Sequence, residues 1–163
     1  MNTLDHYDQQ MLAILAQEGR ISASELARRI GLSKTPTLKR LKQLEQQGYI
    51  LGYQARLNYE LLGEAHIAFI QVTLANTSSK ALREFNAAVS RMTAVEQCHM
   101  IAGNFDYLLK VRTRDIQSYR QLLGEQLANL PHVAHTSTFV SMETVCDSDG
   151  RANRDITSTQ KNA

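Results

Sequence analysis

Six basic side chains crowd one short window: Arg28, Arg29, Lys34, Lys39, Arg40 and Lys42, with no Asp or Glu anywhere from 28 to 42. Cations at that density can neutralise a row of phosphates, and Lys, Arg and Gln also donate hydrogen bonds to base edges. The chemistry this implies is recognition of double-stranded DNA, not bond-making. No nucleophile motif, phosphate loop or paired-carboxylate pattern accompanies the window. A helical hairpin whose charges merely face water is the plainer alternative.

Two short helices have to position these residues. Ser22 is an N-cap with Glu25 three residues on, the pattern of a capping box. Leu26 and Ile30 then form an apolar stripe, and Gly31 supplies a break. Ser33 caps the next helix and Pro36 falls in its first turn, where a missing N–H does little harm. Leu38, Leu41 and Leu44 are expected on the inner side, leaving Pro36, Lys39, Arg40 and Gln43 outward with Thr35 at the edge. This describes a helix-turn-helix whose second helix enters a major groove. Arg20, Arg28, Arg29, Lys34 and Lys42 are then expected on phosphates. Lys39, Arg40 and Gln43 are expected on bases, with Thr35 close by, and hydroxyls such as that of Ser33 can reach phosphates.

An opening helix capped by Asp5, with Asp8 in its first turn, carries Leu4, Tyr7, Met11, Leu12, Ile14 and Leu15 as a stripe and stops at Gly19. Residues 49–51 and 53–57 read as short strands around Gly52. Only Arg56 is basic there, so a hinge is favoured over a wing beside DNA.

The second half changes period. Residues 66–75 alternate, with Ala68, Ile70, Val72 and Leu74 on one face. A helix follows to Met92 with Leu82, Phe85 and Val89 at helical spacing. Residues 94–103 and 105–112 read as strands about Gly103-Asn104. Asp115 caps a helix bearing Ile116, Tyr119, Leu123, Leu127 and Leu130, ended by Pro131, and residues 132–142 form a last strand. The order βαββαβ is the ferredoxin-like split motif, with two helices covering one face of four strands. Ile67, Phe69, Tyr107, Leu109 and Val133 are expected on the uncovered face, which predicts self-association. The class is therefore α+β: a three-helix (winged) helix-turn-helix domain with its hinge at 1–63, a ferredoxin-like domain at 64–146, and a polar tail at 147–163 expected to be disordered.

A net charge of +2 is too small to argue for nucleic acid; its local concentration does that. No run has the length of a membrane span, and the polar, acidic N-terminus lacks the form of a signal peptide. The two cysteines, Cys98 and Cys146, lie far apart, which fits a reduced cytoplasmic protein without a zinc site. His66, His99, His132 and His135 share no ligand spacing and are expected to be structural or surface residues. No cofactor is expected.

From Leu4 to Val145 the chain resembles the leucine-responsive regulatory protein (Lrp/AsnC) family of bacterial and archaeal transcription regulators. The resemblance rests on LDHYDQQMLAILAQEGRIS, ELARRIGLSKTPTLKRLKQLEQQGYI, IAGNFDYLLKV, YRQLLGEQLANLPHV and TSTFVSMETV. It is closer to the leucine-responsive branch than to the asparagine-responsive one, with Thr37 standing where many close relatives carry Cys. The resemblance implies homodimers that assemble into tetramers or octamers, and control of amino-acid metabolism by an amino-acid effector. It places the effector at a contact between dimers around Gly-x-x-Asp-Tyr, here Gly103, Asp106 and Tyr107, with Met100, Thr136, Thr138, Phe139 and Val140 lining the pocket. A carboxylate at 106 could pair an α-ammonium; a purely structural turn is the alternative for Gly103 and Asp106. Two rivals differ in class: an effector-blind DNA-organising protein, and an enzyme on a ferredoxin-like scaffold, which would leave the basic helix unexplained.

Overall fold

The computed structural model describes residues 4–145. The tail expected to be disordered, 147–163, lies outside the described residues. Two compact units divide between Leu57 and Asn58.

The first unit is three helices: α1 (His6–Gln17), α2 (Ala23–Ile30) and α3 (Lys34–Gln46). The reciprocal capping box forms at α1, where Asp5 accepts from the Asp8 amide at 2.9 Å and Asp8 accepts from the Asp5 amide at 3.3 Å. At α2 only half of the expected box forms. Ser22 accepts from the Glu25 amide, but the Glu25 carboxylate is engaged by Arg28 and Arg29 instead of reaching back. Gly31, at φ +71°, closes α2 in a conformation that L-residues avoid. Met11, Leu26, Ile30 and Leu44 make the core, and Thr37 is fully buried with its hydroxyl donating to the Ser33 carbonyl.

Leu38 corrects the sequence expectation. It is 43% exposed, because Thr37, not Leu38, joins Leu41 and Leu44 on the inner face of α3. Residues 49–57 also depart from it, since no strand forms there. An extended segment needs a ladder partner, and none pairs with it among the described residues.

The second unit starts earlier than position 64. Asn58 caps a turn through Gly63, and this turn is held by Arg112, whose guanidinium lies 3.8 Å from the centre of the Tyr59 ring and donates to the Glu64 carbonyl. The turn from Asn58 to Gly63 thus packs with the second compact unit. Strands β1 (His66–Leu74), β2 (Val95–Met100), β3 (Tyr107–Thr113) and β4 (Val133–Val140) form one antiparallel sheet in the order β2-β3-β1-β4. Helices α4 (Ser79–Val89) and α5 (Ile116–Glu125) contribute Phe85, Val89, Tyr119 and Leu122 to the core against one face. A 3₁₀ turn, Leu127–Asn129, follows α5 where the sequence pattern predicts continuing helix.

Register decides which residues face those helices. Ala68, Ile70 and Val72 pair with Val111, Leu109 and Tyr107, so all six share the covered side. Tyr107 and Leu109 are thus core residues, 2% and 0% exposed, and Val133 packs on the same cluster. Of the residues expected on the uncovered face, Phe69 is the one left substantially exposed, opposite the exposed Phe139 of β4. That face is narrower in apolar content than its sequence implies; Glu96, Lys110 and Arg112 form an ion-paired cluster beside it.

Candidate DNA interface and ligand cleft

In the first unit, Ser33, Lys34, Thr35, Pro36, Lys39, Lys42 and Gln43 are all exposed on α3 or at its start. On a helix wheel Thr35, Leu38, Lys39 and Lys42 cluster on the outward side, opposite Thr37, Leu41 and Leu44. Lys34, Lys39 and Lys42 make no ion pair among the described residues, so their ammonium groups remain available for phosphate or base edges. Arg20 is also exposed.

The arginines behave differently. Arg40, expected on bases, turns towards α1 and pairs with Asp5 at 2.6 Å and Asp8 at 2.9 Å. Its side chain is only 29% exposed, and its guanidinium lies over the Tyr7 ring. The α1 cap thus serves twice, satisfying helix amides and fastening α3. Arg28 chelates Glu25, and Arg29 bridges Glu25 and Glu18. These two remain at the surface as expected, but in a network whose acids lie just outside the all-basic window.

That network has a pH signature. Arg28 first, then Arg29, holds the Glu25 carboxyl down to about 2 from an ordinary 4.5. Asp5 is also lowered, chiefly by the Asp8 amide and then by Arg40. A carboxylate depressed in the folded state stabilises it above the unfolded value, and that contribution disappears as pH falls through the folded value. The first unit should therefore lose stability as pH drops from 4.5 towards 2. Urea unfolding at the two ends of that window measures it, and Glu25→Gln should narrow the difference; an unchanged difference would show that the exposed network contributes nothing.

In the second unit, a cleft of about 390 Å³ opens between α4 and the β2 edge. This is the size of a small-molecule site. Met100 and Tyr107, two of the residues expected to bind effector, line it together with Asn86, Ser90 and Cys98. Tyr107 enters from the core. Its ring packs on Phe85 at 4.4 Å between centroids, and its hydroxyl is buried without a hydrogen bond. The Asn86 side chain comes close enough to perturb that hydroxyl without reaching bonding geometry, while burial, the larger effect, raises its pKa. Burial likewise pushes the Cys98 thiol up. Asn86 and Cys98 carry no sequence signal for this role; only the packing of α4 over β2 finds them.

Asp106 sits at the neighbouring sheet end. One carboxylate oxygen accepts from the Leu74 amide at 2.7 Å, and its own amide donates to the Val72 carbonyl at 2.9 Å. It therefore ties the end of β1 to the β2–β3 loop, which the turn reading anticipates. Gly103 adopts no positive φ, and a Cβ there would meet only the Ile101 side chain at 3.5 Å. Neither turn geometry nor packing among the described residues requires glycine at that position.

Thr136, Thr138, Phe139 and Val140 do not join Met100 and Tyr107. They belong to β4, at the opposite edge of the sheet from β2, with β1 and β3 between. At the usual strand spacing that separation is roughly 14 Å. Thr138 is instead hydrogen-bonded to the Tyr119 hydroxyl, and Phe139 lies on the uncovered face. Among the described residues no group of His, Cys, Asp and Glu could hold a metal ion, and no helix is long and apolar enough to cross a membrane.

A basic three-helix unit and a ferredoxin-like unit with a ligand-sized cleft are the two parts of a DNA-binding transcription regulator with a small-molecule domain. Residues 67–150 match the family model of the Lrp/AsnC ligand binding domain, and residues 4–50 match that of a winged helix-turn-helix DNA-binding domain. The chain belongs to the Lrp/AsnC family. It is 56% identical over 142 residues to the proline dehydrogenase transcriptional activator of Rhizobium radiobacter, covering 87% of this chain and 91% of that one. It is 45% identical over 146 residues to the leucine-responsive regulatory protein of Salmonella typhimurium, covering 90% and 89%. The solved structure of a transcriptional regulator from Neisseria meningitidis in complex with L-Met superposes with a TM-score of 0.84 at 28% identity, covering 94% of this chain and 99% of that one.

Proposed function

We propose that this regulator senses an amino acid, proline first among candidates, and controls a gene of proline breakdown. The observation that carries this reading is the 56% identity, along nearly the whole chain, to a proline dehydrogenase activator. The exposed cations of α3, Lys34, Lys39 and Lys42, meet the duplex, with Arg20 and the Arg28–Arg29 pair at its phosphates. Thr35, Gln43, Ser33 and Pro36 complete the contact surface. This work on DNA belongs in the cytoplasm.

The effector docks at the β2–β3 end of the sheet. Met100 and Tyr107 supply an apolar wall and an unsatisfied hydroxyl; Asp106 keeps one oxygen beyond its Leu74 bond for an α-ammonium. Gly103, free of any demand from its own chain, lets ligand or neighbour approach closely. The β4 residues Thr136, Thr138, Phe139 and Val140 reach the same effector only from a second copy, which supports a pocket completed by assembly. Exposed Leu51, Tyr53 and Leu57, and the Phe69–Phe139 pair, support a homodimer that associates further into tetramers or octamers. Effector binding then shifts the balance between assemblies that space the DNA-binding units differently.

A thermal-shift screen against the twenty amino acids tests this. An effector at 100 times its Kd should add about 2.7 kcal/mol of apparent stability. Gel shifts on DNA upstream of a proline dehydrogenase gene, with and without the hit, complete the test. If no amino acid raises the melting temperature, the reading gives way to an effector-blind DNA-organising protein. Tyr107→Phe should stabilise the unliganded protein by about 1 kcal/mol, because a buried unpaired hydroxyl is removed, and should weaken the hit's binding. Equal effector affinity in calorimetry would move the ligand away from Tyr107.

A further inference from the structure

We infer that Leu38 reads a thymine methyl group in the major groove. The inference rests on α3 being the DNA-contacting helix. Leu38 is the one large apolar side chain of α3 that is exposed, at 43%. The helix's inward contribution is already supplied by Thr37, Leu41 and Leu44, so the core does not need it. Three residues before it stands Thr35, one after it Lys39 and four after it Lys42, all exposed. Spacings of three and four put Thr35, Leu38 and Lys42 on one stripe of the helix.

A single exposed leucine on a protein surface is ordinary. What distinguishes this one is its company and its place. It lies amid unpaired ammonium groups, in the first half of a helix-turn-helix recognition helix, the part that meets base edges. The major groove offers donors and acceptors at every base pair and a single apolar feature, the C5-methyl of thymine. A leucine can complement only that feature. Lys39 and Lys42 hold the helix against the duplex, and Leu38 beside them distinguishes A·T from G·C by contact.

The experiment uses the full chain. The protein selects its preferred duplex from a random-sequence pool, and each thymine of that site is then replaced singly by uracil, which lacks only the methyl. At one thymine per half-site the native protein should lose about four-fold in affinity, the effect of one buried methyl-sized group. Leu38→Ala should bind the thymine and uracil duplexes alike at that position, while Leu38→Met keeps the preference. Both variants should melt with the native protein, since the side chain is outside the core. A Leu38→Ala protein that retains the native thymine-to-uracil ratio at every position, or a site with no methyl-sensitive thymine, would overturn the inference. Failure of the native protein to select any duplex would instead remove α3 from the groove altogether.

Discussion

With Lys39 and Lys42 both replaced by alanine, the protein should keep its fold and bind DNA roughly 30-fold more weakly per chain at about 0.15 M salt. Each ammonium brought against the duplex releases condensed counterions, and the log–log salt slope changes by about 0.9 for each. Two such charges lower the slope by about 1.8, which at about 0.15 M corresponds to that affinity loss. The structure selects these two lysines because both are exposed on the outward side of α3 and neither is ion-paired among the described residues. Arg40→Ala is the contrasting variant. Its guanidinium is spent on Asp5 and Asp8, so its removal should lower the stability of the three-helix unit and leave the salt slope nearly unchanged. Fluorescence anisotropy over a salt series, beside thermal melts, separates the two effects. A slope unaltered in the lysine variant would mean that α3 does not face the duplex.

Phe85→Ala should destabilise the second unit by about 3–5 kcal/mol, the range for truncating a buried aromatic. Phe85 is fully buried on the inner side of α4, and its ring meets that of Tyr107 at 4.4 Å and 36°. Truncation leaves a void that the surrounding β1 and β3 side chains cannot fill, since their positions are set by the ladder. Because Tyr107 rests on this ring at the base of the cleft, the amino-acid response should be lost at temperatures where the unit is still folded. Urea unfolding gives the first quantity, and thermal shift with the effector gives the second. A loss below about 1 kcal/mol would show that α4 is loosely seated and that the cleft is not preorganised by this contact.

Much of this was legible in the chain. The 3.6-residue period of the helices, the period-two alternation of 66–75, and the caps at Asp5, Ser22 and Asp115 are local, and the structure shows each. The βαββαβ order and the three-helix unit followed, and the motifs carried the family. The departures have physical reasons. Residues 49–57 have strand composition, but a strand exists only where a partner offers a ladder. Tyr107 and Leu109 were assigned to the wrong face because alternation gives two faces without saying which is covered; pairing of Val72 with Tyr107 and Ile70 with Leu109 decides it.

At the candidate sites the same division holds. Charge density along 28–42 determined that this segment could bind phosphate, because that is a property of composition over a few turns. Which cations are free is a property of distance, and Asp5 and Asp8 lie more than thirty positions from Arg40 in sequence yet meet it in space. Inner and outer sides of α3 differ by one step of the wheel, and the packing of Thr37 rather than Leu38 against its neighbours settled that step. The Gly103–Tyr107 motif was visible as residues. That Tyr107 faces a cleft was decided by the packing of α4 beside β2, that Asp106 ties down β1 by a bond across the sheet end, and that β4 lies three strands away from Met100 by sheet order, because tertiary placement sets which side chains can touch one ligand.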